Sequence, residues 1–427
     1  MGNCGSIQES DDEQPTVNIR RQEIRSSLTR QEQSNCVVLC ENPILVYISD
    51  FMLSNDGTNY GGKIFTGYSG KQQVWLKKIC QHEKKKMEQE LNILSQLSHQ
   101  NIAIVLYPFD INEKECFLVT EKFGTNLKDS IGRKNYTQKM KIMLQLTDVM
   151  SYLQQNRIVH LELSPKNIYI DDETDQIKLI NFHKSQKLQR QHTVYEFTDY
   201  INGYAAPEII KQKKVFLSSD IYSLGCIFFF IVTNGFEMHQ MEYENQAGKI
   251  AARINTIKDD SAFNVLCKDL IQKMLIFAPN KRISMSKIKE HPWSWSAERM
   301  TKLIVDVSKL TEKDSKFTSL LFKGSKKVID GDWTLKLERH VIQTLQEIRQ
   351  TYQTNNGLNQ DDFKGTSILS LLRQLRNLHV HASNDKLVRI MGDNDEDFMM
   401  YWNGKFPLLI CHLYKSKLDY ESNQNGS

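Results

Sequence analysis

The 427 residues are 40% hydrophobic and 25% charged, enough apolar material for more than one core, so a soluble chain of two folded domains with polar tails is expected. A formal net charge of +4 is too small to signal a nucleic-acid or membrane partner by itself. The eight cysteines are scattered with no CxxC pair, which argues against a disulfide framework or a zinc site and suits a reducing cytosol.

The chain opens on MGNCGS, which fits the M-G-x-x-x-[ST] pattern for myristoylation of Gly2. One myristoyl chain binds a membrane only marginally. Residues 1–35 set four arginines against six acidic residues and so lack a polybasic second signal, whereas Cys4 offers a palmitoyl site. Dual lipidation at the cytoplasmic face of a membrane is the expectation. Residues 1–43, polar and nearly free of aromatics, are expected to form a disordered tether. From Ile44 short β-rich runs follow (ILVYIS, KIFTGYS, QQVWLKKI, CFLVTE), broken by Gly- and Asn-rich turns. One amphipathic helix is predicted over 84–97, with Met87, Leu91, Leu94 and Leu97 on one face. Beyond Phe123 the pattern is helical except for a hairpin-like segment around 168–180, and beyond His291 it stays helical almost to the end. The apolar run at 221–232 is short of the roughly 20 residues of a spanning helix and reads as a buried helix.

Within this β-then-α layout the landmarks of a protein kinase fall in order, and residues 44–293 resemble a protein kinase domain. The resemblance makes Lys77 the strand lysine that meets nucleotide phosphates and Glu90 its helix partner. Thr120 becomes the gatekeeper and Glu121 the start of the hinge. AAPE (205–208) matches the end of an activation segment, Asp220 the brace of the catalytic loop, and Arg282 the partner of Glu208.

The working parts are changed. IVHLELSPKNIYI (158–170) has Leu161 for the catalytic-loop Arg, Glu162 for the catalytic Asp and Ser164 for the usual Lys. Asn167 remains, but D-F-G is replaced by NFH, with neutral Asn181 a poor substitute for a carboxylate on a hard cation. The extra methylene of Glu162 moves its oxygen by roughly 1 Å, a shift that can cost about a hundredfold. Gly57, Gly61 and Gly62 lack the G-x-G-x-x-G spacing. Trp75, two residues before Lys77 and so on the same face of the strand, replaces the small residue over adenine. It either fills the nucleotide space or rotates onto neighbouring core. The expectation is a pseudokinase, with ATP and Mg²⁺ binding left open and a divergent serine/threonine kinase as an alternative.

The remaining segments, HPWSWSAERMTKLIVDVSKLTEK (291–313), GDWTLKL (331–337), DFKGTSILSLLRQLRNLHVH (362–381) and YWNGKFPLLICHLYK (401–415), resemble the kinase-extension nuclease domain of the inositol-requiring enzyme and ribonuclease L family. This implies an all-α nuclease domain over 294–416 behind a bilobal α+β kinase-like fold, with 417–427 a disordered tail. It also implies a homodimer acting on RNA, with no metal or cofactor needed for cleavage. In SILSLLRQL, Ile368, Leu371, Leu372 and Leu375 form one stripe and leave Arg373, Arg376 and Asn377 to the outer face. By resemblance Arg376 and Asn377 contact phosphate and His381 is the catalytic histidine; an imidazole can act as an acid without metal. The family's Tyr before K-G-x-S is Phe363 here, with no hydroxyl to relay a proton. His379, Lys364 or Tyr352 could take its place, or the chain could be a non-catalytic scaffold.

Overall fold

The computed structural model describes residues 36–38, 47–49, 64–69, 72–80, 84–112, 115–190, 192–194, 203–238, 246–258, 260–356, 365–380, 392 and 394–425. The chain divides into two compact units. The first comprises residues 1–134, 148–205 and 213–217, and the second the remainder.

The first unit is built on a six-stranded antiparallel sheet of β1 (Cys36–Val38), β2 (Tyr47–Ser49), β3 (Ile64–Ser69), β4 (Gln72–Cys80), β5 (Val105–Asn112) and β6 (Glu115–Glu121), in the order β1-β2-β3-β4-β6-β5. Strand β1 lies inside the stretch expected to be a disordered tether. Its main chain pairs with β2, Cys36 opposite Ser49 and Val38 opposite Tyr47, so that expectation is corrected at this point. Val74, Trp75 and Leu76 are all buried, so both faces of β4 are covered. Helix α1 (Lys84–Leu94) stops at Leu94, short of the predicted end at 97. Its buried residues are Met87, Glu90 and Ile93, while Leu91 is partly buried against Met87 and Leu118. A carboxylate thus occupies a position on the inward stripe. It stays there because it has partners, described below.

In the same unit, short strands β7 (Thr125–Asn126), β8 (Ile158–Val159), β9 (Ile168–Ile170), β10 (Ile177–Leu179) and β11 (Gln186–Lys187) frame the altered catalytic loop. Strand β9 lies between β10 and β7, and β8 pairs with β11.

The second unit is helical. Helix α2 (Ser219–Val232) is buried from Ser219 to Ile231, matching its unbroken apolar run. It approaches α3 (Ala262–Met274) closely, and a Cβ at Gly225 would stand 2.9 Å from the Cβ of Met274, closer than real contacts allow. Glu208 accepts from both terminal nitrogens of Arg282, at 2.9 and 3.0 Å, and from the Ser219 hydroxyl at 2.8 Å. The expected pairing of these two residues is present, as a buried bidentate fork.

From Ser296, whose side chain accepts from the Arg299 amide, α4 (Ala297–Lys313) runs along α5 (Ser315–Phe322), α6 (Ile368–Val380), α7 (Asp395–Lys405) and α8 (Leu409–Asn425). Trp333, Trp402 and Phe406 are fully buried among these helices. The α6 stripe is as its period predicts: Ile368, Leu371, Leu372, Leu375 and Leu378 are buried. Helix α8 corrects the expectation of a disordered 417–427 tail, since it continues to Asn425. Polar composition suggested disorder, but the Tyr420 ring packs 5.3 Å from Phe317 and its hydroxyl donates to Asp314 at 2.8 Å.

Candidate functional site

Two places gather the candidate residues, one in each unit. In the first, β4 brings Trp75 and Lys77 to one face, opposite Thr120 and Leu118 of β6. The Lys77 ammonium donates to Asn181 Oδ1 at 2.6 Å and lies 3.7 Å from Glu90 Oε2. Asn181 in turn donates through Nδ2 to Asn167 Oδ1 at 3.0 Å. Glu90 Oε1 accepts the Phe182 amide at 2.8 Å. Asn181 takes φ = +73°, a left-handed conformation that Asn tolerates better than most residues. The two side chains at the metal-binding positions of a kinase thus hydrogen-bond each other.

Glu162 is also occupied. Its carboxylate meets the buried Lys184 ammonium at 3.0 Å and His183 Nε2 at 3.2 Å. Burial pushes the Glu162 carboxyl above its usual range, and Lys184 opposes that shift. Burial, and then the charges of Lys77 and Lys184, hold His183 far below its ordinary value, so its imidazole is neutral. His160 is neutral too. Burial lowers it to about 4, its Nε2 donates to Ile180 O at 3.0 Å, and its Nδ1 accepts the Glu162 amide at 3.2 Å.

Trp75 does both things that its position allowed. The indole stays in the cleft and packs on neighbouring rings, 4.9 Å from Phe123 and 5.0 Å edge-on to Tyr169, which are 5.3 Å from each other. With Ala103 these form one buried cluster, and the indole nitrogen has no hydrogen-bond partner. The cavity that Trp75, Lys77, Thr120 and Phe123 still line holds about 40 Å³, room for a few waters. Glu121 does not line it: its amide donates to Ile104 O at 3.2 Å, and its carboxylate accepts the Ile104 amide and pairs with Lys178 at 2.7 Å. The residues present therefore do not fit ATP with Mg²⁺. The adenine volume is filled with rings, the metal-ligand positions are amides turned to each other, and the catalytic carboxylate is neutralised from within.

The second place is the outer face of α6. Arg376 Nη1 lies 2.5 Å from Glu312 Oε1 of α4, and Asn377 is exposed. One turn beyond Arg376, His379 Nδ1 is 3.4 Å from Asp395 Oδ1 of α7, and its ring lies 5.9 Å from Phe398. His381, Phe363 and Lys364 lie outside the described residues, as do Gly2, Cys4 and the glycines at 57, 61 and 62. Tyr352 belongs to the helix Arg339–Asn356. Sequence reasoning missed Tyr169, Lys184 and Asp395. Tyr169, two residues past Asn167 on β9, was open to the same strand logic that singled out Trp75; the other two carried no spacing signal.

Comparison with known proteins finds two families in succession along the chain. Residues 57–294 match the protein kinase domain family and residues 301–425 match the ribonuclease 2-5A family. The chain is 23% identical over 377 residues to the "Serine/threonine-protein kinase/endoribonuclease ire-1" of Caenorhabditis elegans, covering 83% of this chain and 38% of that protein. It is 24% identical over 414 residues to the "Sensor for unfolded proteins in the ER ire1" of Schizosaccharomyces pombe, 86% of this chain and 38% of the relative. It is 25% identical over 292 residues to the human "Serine/threonine-protein kinase/endoribonuclease IRE2", covering 64% and 30% respectively. The chain thus spans about two-fifths of the length of the worm and fission-yeast relatives.

The expected placement at the cytoplasmic face of a membrane by an N-terminal lipid does not stand. The fission-yeast relative is named a sensor for unfolded proteins in the ER, and that name, not a lipid signal, is what the comparisons offer on location. Among the described residues no helix is long and apolar enough to cross a membrane.

Proposed function

Because the chain belongs to the family of inositol-requiring enzyme and ribonuclease L, in which a protein kinase domain precedes a ribonuclease 2-5A domain, we propose that it is a metal-independent endoribonuclease whose kinase-like domain is a structural and dimerising module. The proposed division places the kinase-like domain at 44–293 and the nuclease domain from 294 onward, carried to Asn425 by α8. The observation that carries the nuclease reading is α6. Its apolar stripe is buried, so Arg376 meets Glu312 of α4 on its outer face and Asn377 is exposed.

Metal-independent RNA cleavage needs a base for the 2′-hydroxyl proton, donors for the charged phosphorane, and an acid for the leaving 5′-oxygen. Arg376 supplies the charge at phosphorus, Asn377 a second donor, and His381 the acid. Arg376 must exchange Glu312 for the substrate phosphate to do so, and Glu312 is half exposed and easily displaced. The kinase-like domain contributes no phosphoryl transfer in this reading. The support is the aromatic filling of the adenine space together with the Asn181–Asn167 hydrogen bond.

A short stem-loop RNA incubated with the full chain in excess EDTA tests the proposal. Cleavage should persist, leave a 2′,3′-cyclic phosphate and spare a DNA copy, since the nucleophile is the RNA's own 2′-hydroxyl. His381→Ala and Arg376→Ala should each slow it by about a hundredfold or more. Specific activity should rise with enzyme concentration as homodimers form. Loss of cleavage in EDTA, or full activity in His381→Ala, would leave the non-catalytic scaffold as the better reading.

A further inference from the structure

We infer that His379 is the general base of this cleavage and that Asp395 positions it, an assignment that rests on the nuclease reading above. The need arises from Phe363, which puts a ring without a hydroxyl where the family resemblance calls for a proton acceptor. The structure offers a candidate acceptor on α6. His379 follows Arg376 by three residues on α6, a spacing that puts both side chains on one helical face. Its side chain is 36% exposed, open enough to meet a substrate that Arg376 holds.

The ring is not left to wander. Asp395, in the first turn of α7, sets its Oδ1 3.4 Å from Nδ1, and Phe398 lies one turn further along the same helix with its ring 5.9 Å away. Helix α7 is itself fixed at that end, because the Asn394 side chain accepts the Asp397 amide at 2.9 Å. A carboxylate facing Nδ1 keeps the neutral ring's proton on that nitrogen and leaves the Nε2 lone pair free to accept.

The step balances without any added reagent. The 2′-hydroxyl proton passes to Nε2 of His379 as O2′ bonds to phosphorus. The P–O5′ bond breaks with its electron pair on oxygen, and the 5′-oxygen leaves as a hydroxyl after taking a proton from the acid of the proposed function. His379 ends protonated and the acid deprotonated, and solvent restores both.

Steady-state kinetics on the stem-loop RNA, with wild type, His379→Gln and Asp395→Asn in the full chain, separate this role from mere packing. His379→Gln should lower kcat by about a hundredfold with KM little changed, because a base acts in the transition state. Asp395→Asn should lower kcat about tenfold with KM little changed, and Asp395→Glu, which keeps a carboxylate facing Nδ1, should recover part of that loss.

Wild-type kcat in His379→Gln overturns the assignment, and if His381→Ala is dead in the same assay the nuclease reading survives it. A wild type that cleaves nothing sinks both. Should His379→Gln lose its thermal transition, Asp395→Asn decides: wild-type kcat in that variant rejects the pair.

Discussion

At the residue scale, Trp75 and Glu162 decide what the first unit can do. Truncating a buried Trp costs about 3–5 kcal/mol, so Trp75→Ala should lower the melting temperature markedly. The same change empties the space between Phe123 and Tyr169. Mg-ATP should therefore raise the melting temperature of Trp75→Ala while leaving wild type unmoved; a wild type that gains several degrees with Mg-ATP would contradict the filled-cleft reading. Glu162 makes a second test. Removing one partner of a buried ion pair costs about 3–5 kcal/mol, because the other charge is left without compensation. Lys184→Met should thus destabilise strongly, and adding Glu162→Gln to it should restore part of the loss, as a double-mutant cycle by urea denaturation would show. If the two changes simply add, the pair is not coupled.

At the element scale, α6 shows how a sequence period becomes a site. Burying Ile368, Leu371, Leu372 and Leu375 leaves Arg376 where Glu312 of α4 can reach it. A partly exposed pair of this kind is worth roughly 0.2–1 kcal/mol. Glu312→Gln should therefore improve substrate KM by up to about fivefold with little effect on thermal stability; a weaker KM would mean that Glu312 does not compete with phosphate. This stripe, the Glu208–Arg282 fork and the Lys77–Glu90 pair were all legible in the sequence, because each rests on a fixed spacing or a motif partner. Helix α8 was not. Its last turns, KLDYESNQN, are polar enough to read as disorder, and Tyr420 ties them to α5. Nor was the cluster of residues 75, 123 and 169, since no local pattern reveals that three distant rings converge.

At the scale of the whole molecule, buried imidazoles set the response to acid. Burial lowers His160 to about 4 and also depresses His183, His291 and His412. In the unfolded chain each takes a proton near pH 6.5, whereas in the folded protein they stay neutral to lower pH. Stability is therefore complete above about pH 7 and is lost as pH falls from 6.5 toward 4, with His160 alone accounting for about 3 kcal/mol. Glu162 runs the other way: its raised carboxyl favours the folded state on protonation, one group against four. Melting temperature should fall clearly between pH 7.5 and pH 5. A flat profile would show that these rings are hydrated in solution.

The hydrogen bond from Lys77 to Asn181 has a further consequence. In this chain that lysine is satisfied by an amide of its own unit, and Glu90 accepts from the Phe182 backbone. An arrangement closed from within is expected not to report the adenylate ratio. RNA cleavage should proceed at one rate whether ATP, ADP or neither is supplied, a constancy that a coupled assay across nucleotide mixtures can check. On this view the output of the protein is uncoupled from the energy charge of the cell, and how much of the chain is made becomes its setting.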